Sequence, residues 1–70
     1  MREILKQARK DKGLTQQQVA DKVGIDIRYY KAIEQGERLG AIWIWDALED
    51  VFFISQRALR EIHPDTTTRQ

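Results

Sequence analysis

The sequence predicts an all-α domain of five short helices, and three observations carry that prediction. Gly13, Gly24 and Gly36 cut the chain into short helical lengths. Capping residues flanked by apolar pairs, the signature of a helix start, recur at three places. Almost nothing then remains for strands. The 70 residues are 41% hydrophobic, 33% charged and 9% aromatic, the balance of a chain that folds as one domain. A core of this size is marginal, so strong local helix signals or a partner subunit must help it.

A first helix runs from Arg2 to Lys12, with Leu5 and Ala8 as its inner stripe, Ile4 beside them and Gly13 past its end. Next, Thr15 and Gln18 form a capping box, in which each side chain satisfies the other's free backbone N–H. Leu14 and Val19 staple it, so a second helix starts at Gln16 and Gly24 ends it. Ile25, Asp26 and Tyr30 repeat the pattern, giving a third helix from about Ile27 to Gln35. Glu37 to Gly40 is a loop, and a fourth helix occupies roughly Ala41 to Phe52. With Leu48 at the centre of its inner face, Ala41, Ile44, Trp45, Val51 and Phe52 fall within about 60° at about 100° per residue. Ile54, Ser55 and Leu59 start a short fifth helix that ends near Ile62. Residues 1–62 thus form the domain, and residues 63–70 form a polar tail in which Pro64 forbids further helix.

Composition narrows the chemistry. The absence of cysteine removes disulfides, thiol catalysis and thiolate metal sites. His63 is the single imidazole, too little for a metal site, and no metal or other cofactor is expected. No catalytic motif is present and five short helices leave little room for a cleft, so an enzyme is rejected. The longest apolar run, Ala41 to Trp45, is far too short to span a bilayer, and the N-terminus has no signal-peptide core. A cytoplasmic location is expected, without a membrane partner. Residues 1–38 hold nine Lys/Arg against six Asp/Glu, and residues 39–70 hold three against five. A basic half joined to an acidic half suggests that one face meets an anion.

The informative stretch is Gln16 to Gln35. Its two helices are separated only by Gly24, Ile25 and Asp26, so they must cross at a large angle. Ala20 is the small residue such a crossing needs, and Gly24 tolerates the positive φ of the bend. Val19, Val23, Ile25, Tyr30 and Ile33 supply the inner face, while Arg28 and Lys31 point outward. This is the helix-turn-helix of DNA-binding proteins. In the runs Gly13-Leu-Thr-Gln-Gln-Gln-Val-Ala-Asp-Lys-Val-Gly24 and Tyr30-Lys-Ala-Ile-Glu-Gln-Gly36, the chain closely resembles the lambda-repressor-like, Cro-type helix-turn-helix family of phage and bacterial repressors. The resemblance covers about residues 2–62 and implies that family's five-helix layout, with the motif at the second and third helices. It also implies a structural ion pair between Arg9 and Glu34. The chain departs from the family in three places. Arg38-Leu-Gly-Ala lacks the proline common in that loop, and Phe53 stands where a glycine commonly joins the last two helices. Ala32 stands where relatives often carry a long base-reading side chain.

Arg28, in the first turn of the third helix, is the residue expected to read a base, because a guanidinium bonds guanine O6 and N7 bidentately. The alternative for it is a solvated surface arginine. Ile27 either touches a thymine methyl or shields the loop, and Lys31 reaches a base or a phosphate. Gln16 and Gln17 open the second helix, whose free N–H groups and positive dipole end favour a phosphate. Tyr29, Gln35 and Arg38 complete the expected phosphate contacts, and Lys6, Lys10 and Lys12 add diffuse attraction.

The expected activity is sequence-specific binding of double-stranded DNA by a transcriptional regulator, a nucleoid-associated repressor of phage or mobile-element type. The runner-up is a helical protein-interaction module, antitoxin-like or adaptor. Trp43 and Phe53 motivate it, because they fall about 140° from the inner face of the fourth helix, beside Asp46 and Asp50. The two readings are compatible. The expected working form is a homodimer joined through Trp43, Phe53, Gln56 and Arg57 and completed on a roughly palindromic operator. No small-molecule ligand is expected.

Overall fold

Five α-helices follow one another along residues 1–62, the residues described by a computed structural model of the protein. They are α1 Glu3–Asp11, α2 Gln16–Val23, α3 Ile27–Gln35, α4 Ile42–Phe52 and α5 Gln56–Arg60. No strand occurs among the described residues. The expected polar tail, with His63 and Pro64, lies outside them.

Local hydrogen bonds set the helix starts. Thr15 Oγ1 accepts from the Gln18 N–H at 3.1 Å and Gln18 Oε1 accepts from the Thr15 N–H at 2.8 Å, closing the capping box of α2. Asp26 Oδ1 accepts from the Arg28 N–H at 2.7 Å to open α3, and Ser55 Oγ accepts from the Arg57 N–H at 3.2 Å to open α5. Such a cap contributes about 1 kcal/mol. Gly24, at φ 89°, ends α2 in the left-handed region and turns the chain into α3.

Four boundaries differ from the sequence reading, the smallest being the end of α1, which stops at Asp11 with Lys12 as its C-cap. Arg2 is outside α1 because its N–H donates to the Glu34 carbonyl at 2.9 Å and its side chain turns inward. Ala41 is not on the inner face of α4; it is the exposed N-cap, with an extended ψ of 156°. α5 stops at Arg60 rather than near Ile62. The helical partner of the Arg60 carbonyl is position 64, a proline without an N–H, and the Arg2 Nε–H donates to that carbonyl instead, at 3.0 Å.

The core gathers Leu5 and Ala8 of α1, Val19, Ala20 and Val23 of α2, and Tyr30 and Ile33 of α3. Ile44, Trp45, Leu48 and Phe52 of α4 and Leu59 of α5 complete it. α2 packs on α3, α4 packs on α5, and α1 touches both α3 and α5. Phe53, between α4 and α5, has φ 56° and ψ 35°. It is the one non-glycine residue at positive φ among the described residues. That conformation costs an L side chain about 1–2 kcal/mol.

Candidate nucleic-acid interface

α3 is two-sided. Tyr30, Ile33 and Glu34 are buried, while Arg28, Lys31 and Gln35 are exposed. The Arg28 side chain is 90% exposed, with its Nε 3.5 Å from Asp26 Oδ1. The cap bond from the Arg28 N–H is the first cause holding the Asp26 carboxyl below its ordinary value. Arg28, Tyr29, Arg38 and Asp26 together line a shallow, open hollow of about 510 Å³. The folded chain therefore gathers one expected base reader and two expected phosphate contacts in one concave surface. Ile27 is half-buried against the core, so only part of it faces outward. Gln17 is exposed and donates to Asp21 Oδ1 at 2.8 Å.

Gln16 points elsewhere. Its Nε2 donates to Glu34 Oε1 at 3.0 Å, so its side-chain amide faces the interior and not the solvent side of α2. Glu34 is 3% exposed and accepts four bonds. Arg9 donates from Nε to Oε2 at 2.9 Å and from Nη2 to Oε1 at 3.1 Å. Tyr30 donates its hydroxyl to Oε2 at 2.7 Å. Burial raises the pKa of Glu34, but the bonds from Arg9, Tyr30 and Gln16 outweigh it and leave the carboxyl below its ordinary value. Burial, then the neighbouring carboxylate, pushes the Tyr30 hydroxyl far above its ordinary value. The bond to Glu34 raises Arg9. Arg9 Nη1 also donates to the Leu14 carbonyl at 3.0 Å. One carboxylate thus joins α1, α2 and α3 and holds the angle at which α3 is presented. Tyr30 and Glu34 are four residues apart on one helix face, a spacing from which their contact was readable.

Nothing local in the sequence marks Arg2 as an interior residue. It is 2% exposed, and its guanidinium donates from Nη1 to the Ile33 carbonyl and, at 2.9 Å, to the Arg38 carbonyl. The guanidinium carbon lies 5.2 Å from the centroid of the Trp45 ring. Burial, then the charge of Arg60, lowers its pKa.

A second surface lies on α4 and its ends. Trp43 and Phe53 are exposed, Phe53 to 83%, and the Lys12 ammonium sits 5.3 Å over the Phe53 ring. Leu39 and Ile42 are exposed as well, at 60% and 76%, although nothing local in the sequence marks them as surface residues. Arg57 is exposed. Gln56 instead spends its amide on α4, donating to Asp46 Oδ1 at 2.7 Å and Glu49 Oε1 at 3.2 Å.

Among the described residues no helix is long and apolar enough to cross a membrane. A family model described as helix-turn-helix matches residues 5–40, just over half of the chain, from Leu5 in the core to the end of the loop after α3. No curated protein and no solved structure matches the chain.

Proposed function

The chain belongs to the helix-turn-helix family, of the Cro kind, whose members are DNA-binding regulators, and from that premise we propose that it is a sequence-specific repressor of phage or mobile-element type. The observation that carries this reading is the outer face of α3, with Arg28 and Lys31 exposed and Arg38 and Tyr29 beside them. A helix so presented enters the major groove with its N-terminal residues at the base edges. Arg28 then reads guanine through O6 and N7, and Lys31 reads a neighbouring base or phosphate. Tyr29, Gln35 and Arg38 hold the phosphates, as do Gln17 and the free N–H groups at the start of α2. Gln16 contributes its backbone N–H there, since its side chain serves Glu34.

One copy offers few base contacts, and operator affinities of about 10⁻⁸ M or tighter generally take two such helices. The working form is therefore a two-fold homodimer, completed on DNA, that joins through the surface of Trp43, Phe53 and Arg57, with Gln56 bracing α5 against α4. Trp43 and Phe53 are about 15 Å apart along the helix axis, a span that one interface covers. The protein acts in the bacterial cytoplasm, on the nucleoid, without cofactor. The same exposed aromatic groups favour a second reading, a protein-interaction module of antitoxin or adaptor type.

Selection of binding sites from random duplex DNA tests the proposal. The expected result is a roughly palindromic site with half-site centres about 34–36 Å apart. Failure to enrich any sequence, together with salt-independent binding to protein alone, would replace the repressor with the adaptor.

A further inference from the structure

The hollow beside α3 includes Arg38, which lies in the loop that follows the helix. Loop side chains are ordinarily mobile, and a phosphate ligand on a mobile loop loses binding energy to the ordering it requires. Here two consecutive loop carbonyls are bonded from within. The Arg38 carbonyl accepts from Arg2 Nη1 at 2.9 Å, and the Leu39 carbonyl accepts from Trp45 Nε1 at 2.7 Å. The same Arg2 nitrogen bonds the Ile33 carbonyl in the last turn of α3, so one atom sets the spacing between helix end and loop. Gly40 closes the loop at φ 84°, where a Cβ would stand 3.0 Å from Ile33 Cδ1. Arg2 Nε meanwhile holds the Arg60 carbonyl, the last residue of α5. Its cation serves the C-terminal ends of α3 and α5, which carry negative partial charge. A guanidinium 2% exposed is expensive to desolvate, and an apolar side chain would fill the space more cheaply.

We propose that Arg2, with Trp45, is a positioning residue for DNA binding. It pins the 37–40 loop so that Arg38 faces a backbone phosphate, and it makes that placement depend on α5 being docked. The inference rests on the duplex-DNA reading above. A planar fork with several donors is required, because an ammonium is a point charge that cannot span carbonyls on three segments.

The test measures the salt dependence of binding to a mixed-sequence duplex longer than two half-sites, below the melting temperature of every variant. Each phosphate contact contributes about 0.9 to the slope of log K against log salt. Arg38→Ala should lower the slope by about 1 for each bound protomer, and so by about twice that for a dimer. Arg2→Lys should lower it by the same amount although Arg38 is still present, and the double variant should match Arg38→Ala alone. A residue that only stabilises the fold would lower the melting temperature and leave the slope of the folded protein unchanged. An unchanged slope in Arg2→Lys, or losses that add in the double variant, overturns the proposal. If Arg2→Lys does not fold, Trp45→Phe removes the indole donor to Leu39, together with part of the ring packed in the core against Arg2, and takes its place under the same criteria, read on the folded fraction alone. Failure of the unmodified protein to bind the duplex would instead refute the DNA-binding reading itself.

Discussion

The side-chain amide of Gln16 donates to Glu34 Oε1 across 3.0 Å, joining the first residue of α2 to the last turn of α3. A residue whose place at a helix start suggests a phosphate ligand is thereby part of the brace that sets the two helices of the motif. Arg9 and Tyr30 complete that brace on the same carboxylate. The angle of α3 thus depends on a polar cluster as well as on apolar packing.

Glu34→Ala leaves Arg9, Tyr30 and Gln16 without their shared acceptor. Removing one partner of a buried ion pair costs about 3–5 kcal/mol. Glu37→Ala, at an exposed position, should stay within about 0.5 kcal/mol of the unmodified protein. Urea denaturation of the two variants measures the difference, and equal midpoints would show that the brace contributes nothing.

The same carboxylate makes stability depend on pH. Glu34 titrates below its ordinary value of 4.5 in the folded protein, so the folded state holds fewer protons than the unfolded chain in that window. The contribution is complete above about 4.5 and is lost as pH falls through the lower folded value. Acid titration of the melting temperature should show this fall, and Glu34→Gln should flatten much of it. An acid limb of equal slope in the variant would assign the dependence to other carboxylates.

On DNA, Arg28→Ala should cost about 1–3 kcal/mol on the selected site and relax the preference at one base position. Gln17→Ala should weaken all sequences alike, because a phosphate contact carries no base identity. Competition binding against single-base variants of the site separates the two. Arg28→Ala with unchanged affinity and preference would mean that another surface reads the DNA.

Phe53→Gly should divide folding from pairing. Glycine relieves a left-handed conformation that costs about 1–2 kcal/mol, against about 0.5–1 kcal/mol of added backbone entropy in the unfolded chain. Because Phe53 is 83% exposed, little burial is lost, and the melting temperature should hold or rise. Cooperative binding to a full site should fall relative to half-site binding. Full-site cooperativity that survives the substitution would remove Phe53 from the dimer interface.

The five helices and the motif within them are legible in the sequence, because helical periodicity and the caps that open α2, α3 and α5 act over a few residues. The Thr15–Gln18 box, the Asp26 and Ser55 caps and the left-handed turn at Gly24 each need only their neighbours. The inner face of α2 and α3 follows from helical periodicity alone. The packing of distant segments settles where the long polar side chains go. Arg2 reaches carbonyls 31, 36 and 58 residues away, and Gln16 reaches a carboxylate 18 residues away. It also left Leu39 and Ile42 uncovered and put Phe53 in a left-handed turn. An arginine in a first turn or a glutamine at a helix start is compatible in sequence with solvent, a ligand or the interior. The choice among them depends on which acceptors the folded chain brings within reach, and those are supplied by segments distant in sequence.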